Sequence, residues 1–159
     1  MRNFLLPLAA LSVMLSACAT QATQTPRNCP DAGCRPINLE KVSALPQPGS
    51  WPVEHEGEAL HLLPGLRLQG ADIVGVQRMI DPQSGRVFVE VTLSDFAGTR
   101  MQAFSTAEIG NRLAFVVDGQ VLATPVVSAS FGAEFQISAA SVAEADQITR
   151  LVRGHASDK

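Results

Sequence analysis

Residues 112–136 read RLAFVVDGQVLATPVVSASFGAEFQ. At the centre is an apolar run, 113–117, then Asp118-Gly119, then a second β-rich run, 120–127. Asp-Gly suits the two-residue turn whose backbone twist matches that of paired strands, and such a turn needs positive φ, which glycine supplies without steric cost. The stretch predicts a β-hairpin. Helix-like segments flank it at 95–109 and 141–153, which makes it the middle of one small α+β domain.

Working outward, 71–80 (ADIVGVQRMI) and 86–93 (RVFVEVTL) read as strands. In the second, Val87, Val89, Val91 and Leu93 alternate with Phe88, Glu90 and Thr92, a period of two. Asp81-Pro82-Gln83-Ser84-Gly85 between them is turn chemistry, so the pair forms a hairpin. Ser94 or Asp95 caps the next helix, Ala97, Met101 and Phe104 follow at helical spacing with Phe96 beside them, and Gly110-Asn111 stops it. Pro125 implies a sheet edge, a bulge or a strand break in the second arm of the central hairpin. A bend at Gly132 precedes a fifth short strand, 134–138. The last helix opens with a capping box, Ser141 and Glu144, presents Val142, Ala145, Ile148 and Val152 on one face with Leu151 adjoining, and ends at Gly154. The order β-β-α-β-β-β-α predicts an antiparallel sheet with two helices on one face across residues 66–154, followed by a polar tail at 155–159.

The chain start reads as an address. Arg2 precedes an uncharged apolar run, 4–15, about the length of a signal-peptide core and short for a bilayer span. The run ends in Leu15-Ser16-Ala17-Cys18, which resembles the bacterial lipoprotein signal. That resemblance implies removal of residues 1–17, acylation of Cys18, and a membrane partnership through the lipid. Ala19 in place of Asp favours the outer over the inner membrane on the same resemblance.

Residues 18–65 read as a Pro-rich tether, partly packed on the domain. Seven of the ten prolines fall there, Pro26, Pro30, Pro36, Pro46, Pro48, Pro52 and Pro64, which argues against long helices and central strands. Apolar residues return from Ile37 onward, so part of the segment is expected on the domain as irregular structure or a short extra strand, with Trp51 as a packing anchor. Cys29 and Cys34 lie in CPDAGC; in an oxidising compartment a small disulfide loop is the simplest reading. A redox pair lacks CxxC spacing, and a metal site lacks two more suitably spaced ligands. Glu54-His55-Glu56-Gly57-Glu58 with His61 reads as a solvated acidic loop, since the histidines are not spaced for one helix face.

From about residue 68 to 154 the chain resembles the head subdomain of the first periplasmic region of SecD and SecDF. The likeness rests on LQGADIV, DPQSGRVFVEVTL, Phe104 and Thr106 in the helix, IGNRLAFVVDGQVLATPVV, FQISA and SVAEADQITRLVRG, in that order. It implies a portable periplasmic head domain of a family that assists translocating chains. Ser138-Ala139-Ala140 departs from the glycine that such sequences often carry near the end of the fifth strand.

Twelve basic against fifteen acidic residues give no basic stripe, which argues against nucleic acid as a partner. Asp72, Asp81, Asp95 and Asp118 sit at strand starts, turns or caps, and there is no GxSxG elbow or Gly-rich phosphate loop, so no catalytic residues, metal or cofactor are expected. The expected role is a non-catalytic, lipid-anchored envelope module that binds a protein or extended peptide, with Gln120, Pro125 and Ser130 at the binding edge. The alternative is a structural subunit of an envelope or secretion complex.

Overall fold

The computed structural model describes Cys29 and residues 33–154. Eight strands and two helices follow one another: β1 Ile37–Ser43, β2 Trp51–His55, β3 Glu58–Leu68, β4 Ile73–Ile80, β5 Val87–Leu93, α1 Asp95–Ala107, β6 Leu113–Val117, β7 Gln120–Ala123, β8 Glu134–Ala139 and α2 Val142–Arg153. From β4 onward the order is β-β-α-β-β-β-α, in an α+β fold whose strands all pair antiparallel. A single 3-10 turn, Gly70–Asp72, replaces the first residues of the strand expected from 71. Among the described residues no helix is long and apolar enough to cross a membrane.

The expected single sheet is two. One runs β2-β3-β1-β6-β7 and the other β4-β5-β8. The division originates upstream of residue 65. That segment is not mainly irregular: it supplies three strands, and β1 pairs with β6 from Asn38↔Val116 to Lys41↔Leu113. The central hairpin therefore joins β1, leaving β8 as the partner of β5 from Val87↔Ala139 to Thr92↔Glu134. The expected acidic loop is also a hairpin, β2–β3, with Glu56 and Gly57 at φ 52° and 78° in its turn. Trp51 heads the edge strand β2 and is 39% exposed, not a packing anchor.

One core joins both sheets and both helices. Ile37, Leu39 and Leu113 face it from the first sheet, Val76, Val89 and Ile137 from the second, Met101 from α1, and Ile148 and Val152 from α2. A second apolar cluster, Leu62, Ala114 and Val116 with Val42, Val53 and Val121 packed against it, runs across the five-stranded sheet from β2 to β7. In α1 the buried face is Ala97, Gly98, Met101 and Ser105, whereas Phe96 is 73% exposed beside the Arg100 guanidinium. Val142 of α2 is likewise exposed.

The turn and cap readings are realised atom by atom. Asp118 and Gly119 have φ of 50° and 79°, both positive as a type I′ turn requires. A Cβ at Gly119 would meet nothing within 4 Å, so Gly119→Val strains only the backbone. It should cost about 1–2 kcal/mol in urea unfolding. Ser94 Oγ accepts from Ala97 N at 3.4 Å and Ser141 Oγ from Glu144 N at 3.2 Å. Glu144 returns the bond one residue before the cap, accepting from Ala140 N at 2.6 Å. Cys29 and Cys34 are disulfide-bonded, their Cα atoms 5.1 Å apart.

The end of α1 is tied to β1 by a buried carboxylate. Glu108 Oε1 lies 2.5 Å from Lys41 Nζ, and Glu108 Oε2 accepts from Asn111 Nδ2 at 2.9 Å. Burial alone would raise its pKa, but the bonds from Lys41 and Asn111 and the Lys41 charge outweigh it and hold it below the ordinary value. A lowered folded-state pKa contributes stability above the unfolded-state pKa and loses it as pH falls through the folded value. Glu108→Gln should therefore lose about 1 kcal/mol at neutral pH, Lys41 being half-exposed, and nothing in strong acid. Urea midpoints of both proteins across the acid range check this.

Candidate binding cleft between two open sheet edges

β7 ends the five-stranded sheet and β8 ends the three-stranded sheet, and both open edges border one cleft. Leu122, Ala123, Thr124 and Pro125 form one wall of a hollow of about 580 Å³, and Gln136, Ile137 and Ser138 form the other. A second hollow, of about 390 Å³, adjoins it between Glu90, Glu134 and Gln136, over Phe115, Phe131 and Phe135. The Phe115 and Phe135 rings stack with centroids 5.3 Å apart, and Phe131 lies 6.4 and 6.5 Å from them. Aromatic faces of this kind offer a large apolar area at low conformational cost.

Each ring is placed by a different element. Phe115 comes from β6 and Phe135 from the inward-facing positions of β8. Phe131 lies in irregular chain and is held by α1. Ser105 Oγ donates to Phe131 O and accepts from Phe131 N, both at 3.0 Å. Gly98 allows that approach, since a Cβ there would sit 2.7 Å from Ala133 Cβ. Ser105 is fully buried, so Ser105→Ala strands both backbone groups of Phe131. It should cost about 1–3 kcal/mol in urea unfolding and speed exchange of the Phe131 amide.

Arg112 fixes the other wall. Its Nε donates to Thr124 O at 3.0 Å and its Nη2 to Thr124 Oγ1 at 2.7 Å, while Nη1 reaches both Glu58 carboxylate oxygens at 3.0 and 2.8 Å. One guanidinium thus joins the end of β7 to the β2–β3 hairpin. The tip of that hairpin, His55 and Glu56, lines a further hollow of about 250 Å³ with Gln120 and Val121 of β7 and Gln147 and Leu151 of α2. The two larger hollows carry the carboxylates of Glu56, Glu90, Glu134 and Glu144 against the guanidinium of Arg112, which is engaged by Glu58. The cleft is apolar in its floor and acidic on its rim. His55 makes no side-chain hydrogen bond among the described residues, so nothing there orients it as a base.

Gln120 lines the hollow of about 250 Å³ and Pro125 that of about 580 Å³, and the Pro125 carbonyl accepts from Leu113 N at 3.0 Å. Ser130 is exposed and next to Phe131, but the ring lines the cleft and Ser130 does not. Cys29 and Cys34 line none of these hollows, and Cys18 lies outside the described residues. Sequence reasoning missed Phe131, Ser105, Glu134 and Gln136. The one available signal was Phe131 itself, a lone aromatic among small residues in SASFGA.

A family model described as SecDF, P1 head subdomain, matches residues 47–156. No curated protein matches the chain. Among solved structures, one described as a membrane component SecDF that enhances protein export aligns with a TM-score of 0.56 at 21% identity, over 76% of this chain and 63% of that one. A SecDF structure in a super-membrane-facing form aligns with a TM-score of 0.56 at 23% identity, over 75% of this chain. The present chain spans only 18% of that second protein.

Proposed function

The chain belongs to the SecDF P1 head subdomain family, and on that premise we propose that it is a non-catalytic polypeptide-binding module of the cell envelope. The observation that carries the reading is the cleft: two open sheet edges face it, over a floor of three phenylalanines. Such a site suits an extended chain, with backbone groups available at the edges and apolar side chains accommodated on the floor. One related structure is described as enhancing protein export, and an emerging polypeptide is a ligand of this kind. The lining offers carboxylates, amides and phenyl rings with the Thr124 and Ser138 hydroxyls and the His55 imidazole, and with no side-chain hydrogen bond to His55 among the described residues these groups bind and orient without assembling a nucleophile and an oriented base.

In the same proposal the module works on the periplasmic face of a membrane, outer in preference to inner, anchored through acylated Cys18 after removal of residues 1–17. The support is the Leu15-Ser16-Ala17-Cys18 motif behind an apolar run. The Pro-rich residues between Cys18 and β1 then act as the tether.

Photocrosslinking in cells tests the binding reading. A photoreactive residue at Gln120 or Gln136 should yield discrete polypeptide adducts, Ser130 fewer, and Gln102 on the exposed face of α1 none. Adducts from Gln102 equal to those from Gln136 would remove the cleft from the account.

A further inference from the structure

The two edges of the cleft are not equivalent. β7 is four residues long, its register with β6 shifts between Phe115 and Val116, and Pro125 follows two residues after its end. Bulges, prolines and short length are the usual protections of an exposed edge. β8 has none of them. It is six residues long, pairs with β5 without a register shift, and contains no proline or lysine.

The phase of the β5–β8 ladder sets which β8 amides are used. Leu93 N donates to Ala133 O at 2.7 Å, and the pairing continues in the same register through Val91↔Phe135 and Val89↔Ile137. In an antiparallel pair, hydrogen-bonded and non-bonded positions alternate. Phe135, Ile137 and Ala139 therefore bond to β5, and the N–H and C=O groups of Glu134, Gln136 and Ser138 point to the open edge. None of these three N–H groups has a partner from a side chain or another loop among the described residues. Three hollows meet at Gln136.

Resting on the cleft reading above, we propose that the bound segment adds to β8 as a further strand and alternates apolar with cationic side chains. Side chains of an added strand alternate between the two faces of the sheet. Those on the inner face meet the phenylalanine floor. Those on the outer face lie beside exposed Glu134, with Glu90 one strand further in, and opposite charges at cross-strand spacing attract. Arg112, which lines the larger hollow, is held by Glu58, and the exposed guanidinium of Arg86 lies in the third hollow at the Ala139 end of β8, the opposite end from Glu134.

The probes are a ten-residue peptide alternating valine and lysine, its valine–glutamate counterpart, and a valine–lysine peptide N-methylated at alternate residues, each added to the purified protein. The valine–lysine peptide should slow amide exchange at Glu134, Gln136 and Ser138 by about tenfold or more, leaving Phe135 and Ile137 as they were. The glutamate counterpart should bind on the order of tenfold more weakly. Gln136→Pro removes an outward N–H that β5 does not use, a replacement that edge strands tolerate, so the fold should survive while the peptide is lost. Should that variant unfold, the N-methylated peptide decides: methylation of the edge-facing amides must abolish binding. The strand-addition proposal is overturned by binding that leaves the three amides exchanging as before. It is equally overturned by equal affinity for the two charge patterns, by no binding of the valine–lysine peptide, or by concentration-dependent protection of the same amides without peptide, which would place a second copy on β8. Cleft crosslinks in cells alongside any of these results would leave the cleft reading standing and remove only strand addition.

Discussion

Gly65→Ala is expected to destabilise the protein by about 3 kcal/mol or more in urea unfolding, or to prevent folding. Gly65 lies in the irregularity of β3, where Pro64 and Gly65 face the single residue Glu40 as the register passes from Leu39↔Leu66 to Lys41↔Leu63. A Cβ there would fall inside the contact distance of the Leu39 carbonyl oxygen and 3.1 Å from Phe104 Cζ. The first clash is with backbone in the middle of the β1–β3 pairing, so no rotamer change relieves it. The same site buries Glu40, whose Oε2 accepts from Gly65 N at 3.0 Å. Burial pushes the Glu40 carboxyl above its ordinary value, opposed in part by that bond. A raised folded-state pKa favours the folded protein at low pH, and the contribution is lost as pH rises through the folded value. The Gly65→Ala defect has a steric cause and should persist across pH, in contrast to the Glu40 contribution. Gly85→Ala is the control: φ there is +70° but nothing lies within 4 Å, so the loss should be about 1 kcal/mol.

Phe135→Ala should cost about 3–5 kcal/mol. The ring is 6% exposed, stacks on Phe115 and fills the join between the two sheets. Its loss opens a cavity that the two sheets cannot close without moving their own ladders. It also removes one of the three rings of the cleft floor. Phe135→Leu separates the two effects: the volume change is modest and the cost should stay near 1–2 kcal/mol, whereas polypeptide binding should fall with the aromatic surface. Paired measurements of unfolding free energy and peptide affinity on both variants check this.

Much of this fold is local enough to read from the chain. The Asp118-Gly119 turn, the caps at Ser94 and Ser141 and the order of elements from β4 to α2 depend on near neighbours, and each is present. The strands upstream of residue 65 were hidden by their prolines. Pro52 lies on β2, an edge strand, and Pro64 falls at the β1–β3 irregularity, two places where a missing N–H costs little. The split into two sheets depends on β1 meeting β6, a pairing distant in sequence that no local pattern specifies. The cleft was illegible for the same reason: its walls belong to different sheets. Gln120 and Pro125 could be placed at an edge, but Gln136 on the opposite wall becomes a neighbour only once β8 has joined β5. Phe96, beside the Ala97, Met101 and Phe104 face in sequence, is exposed because α1 turns its small residues, Gly98 and Ser105, inward to admit the 131–133 chain.

The most direct test of polypeptide binding in the cleft is backbone-amide shift mapping of the purified protein titrated with an unfolded polypeptide. The account predicts saturable changes concentrated at 122–125, at Phe131 and along β8, with α1 positions Gln102 and Thr106 unmoved. Changes centred on α1, or none at saturating polypeptide, would contradict it.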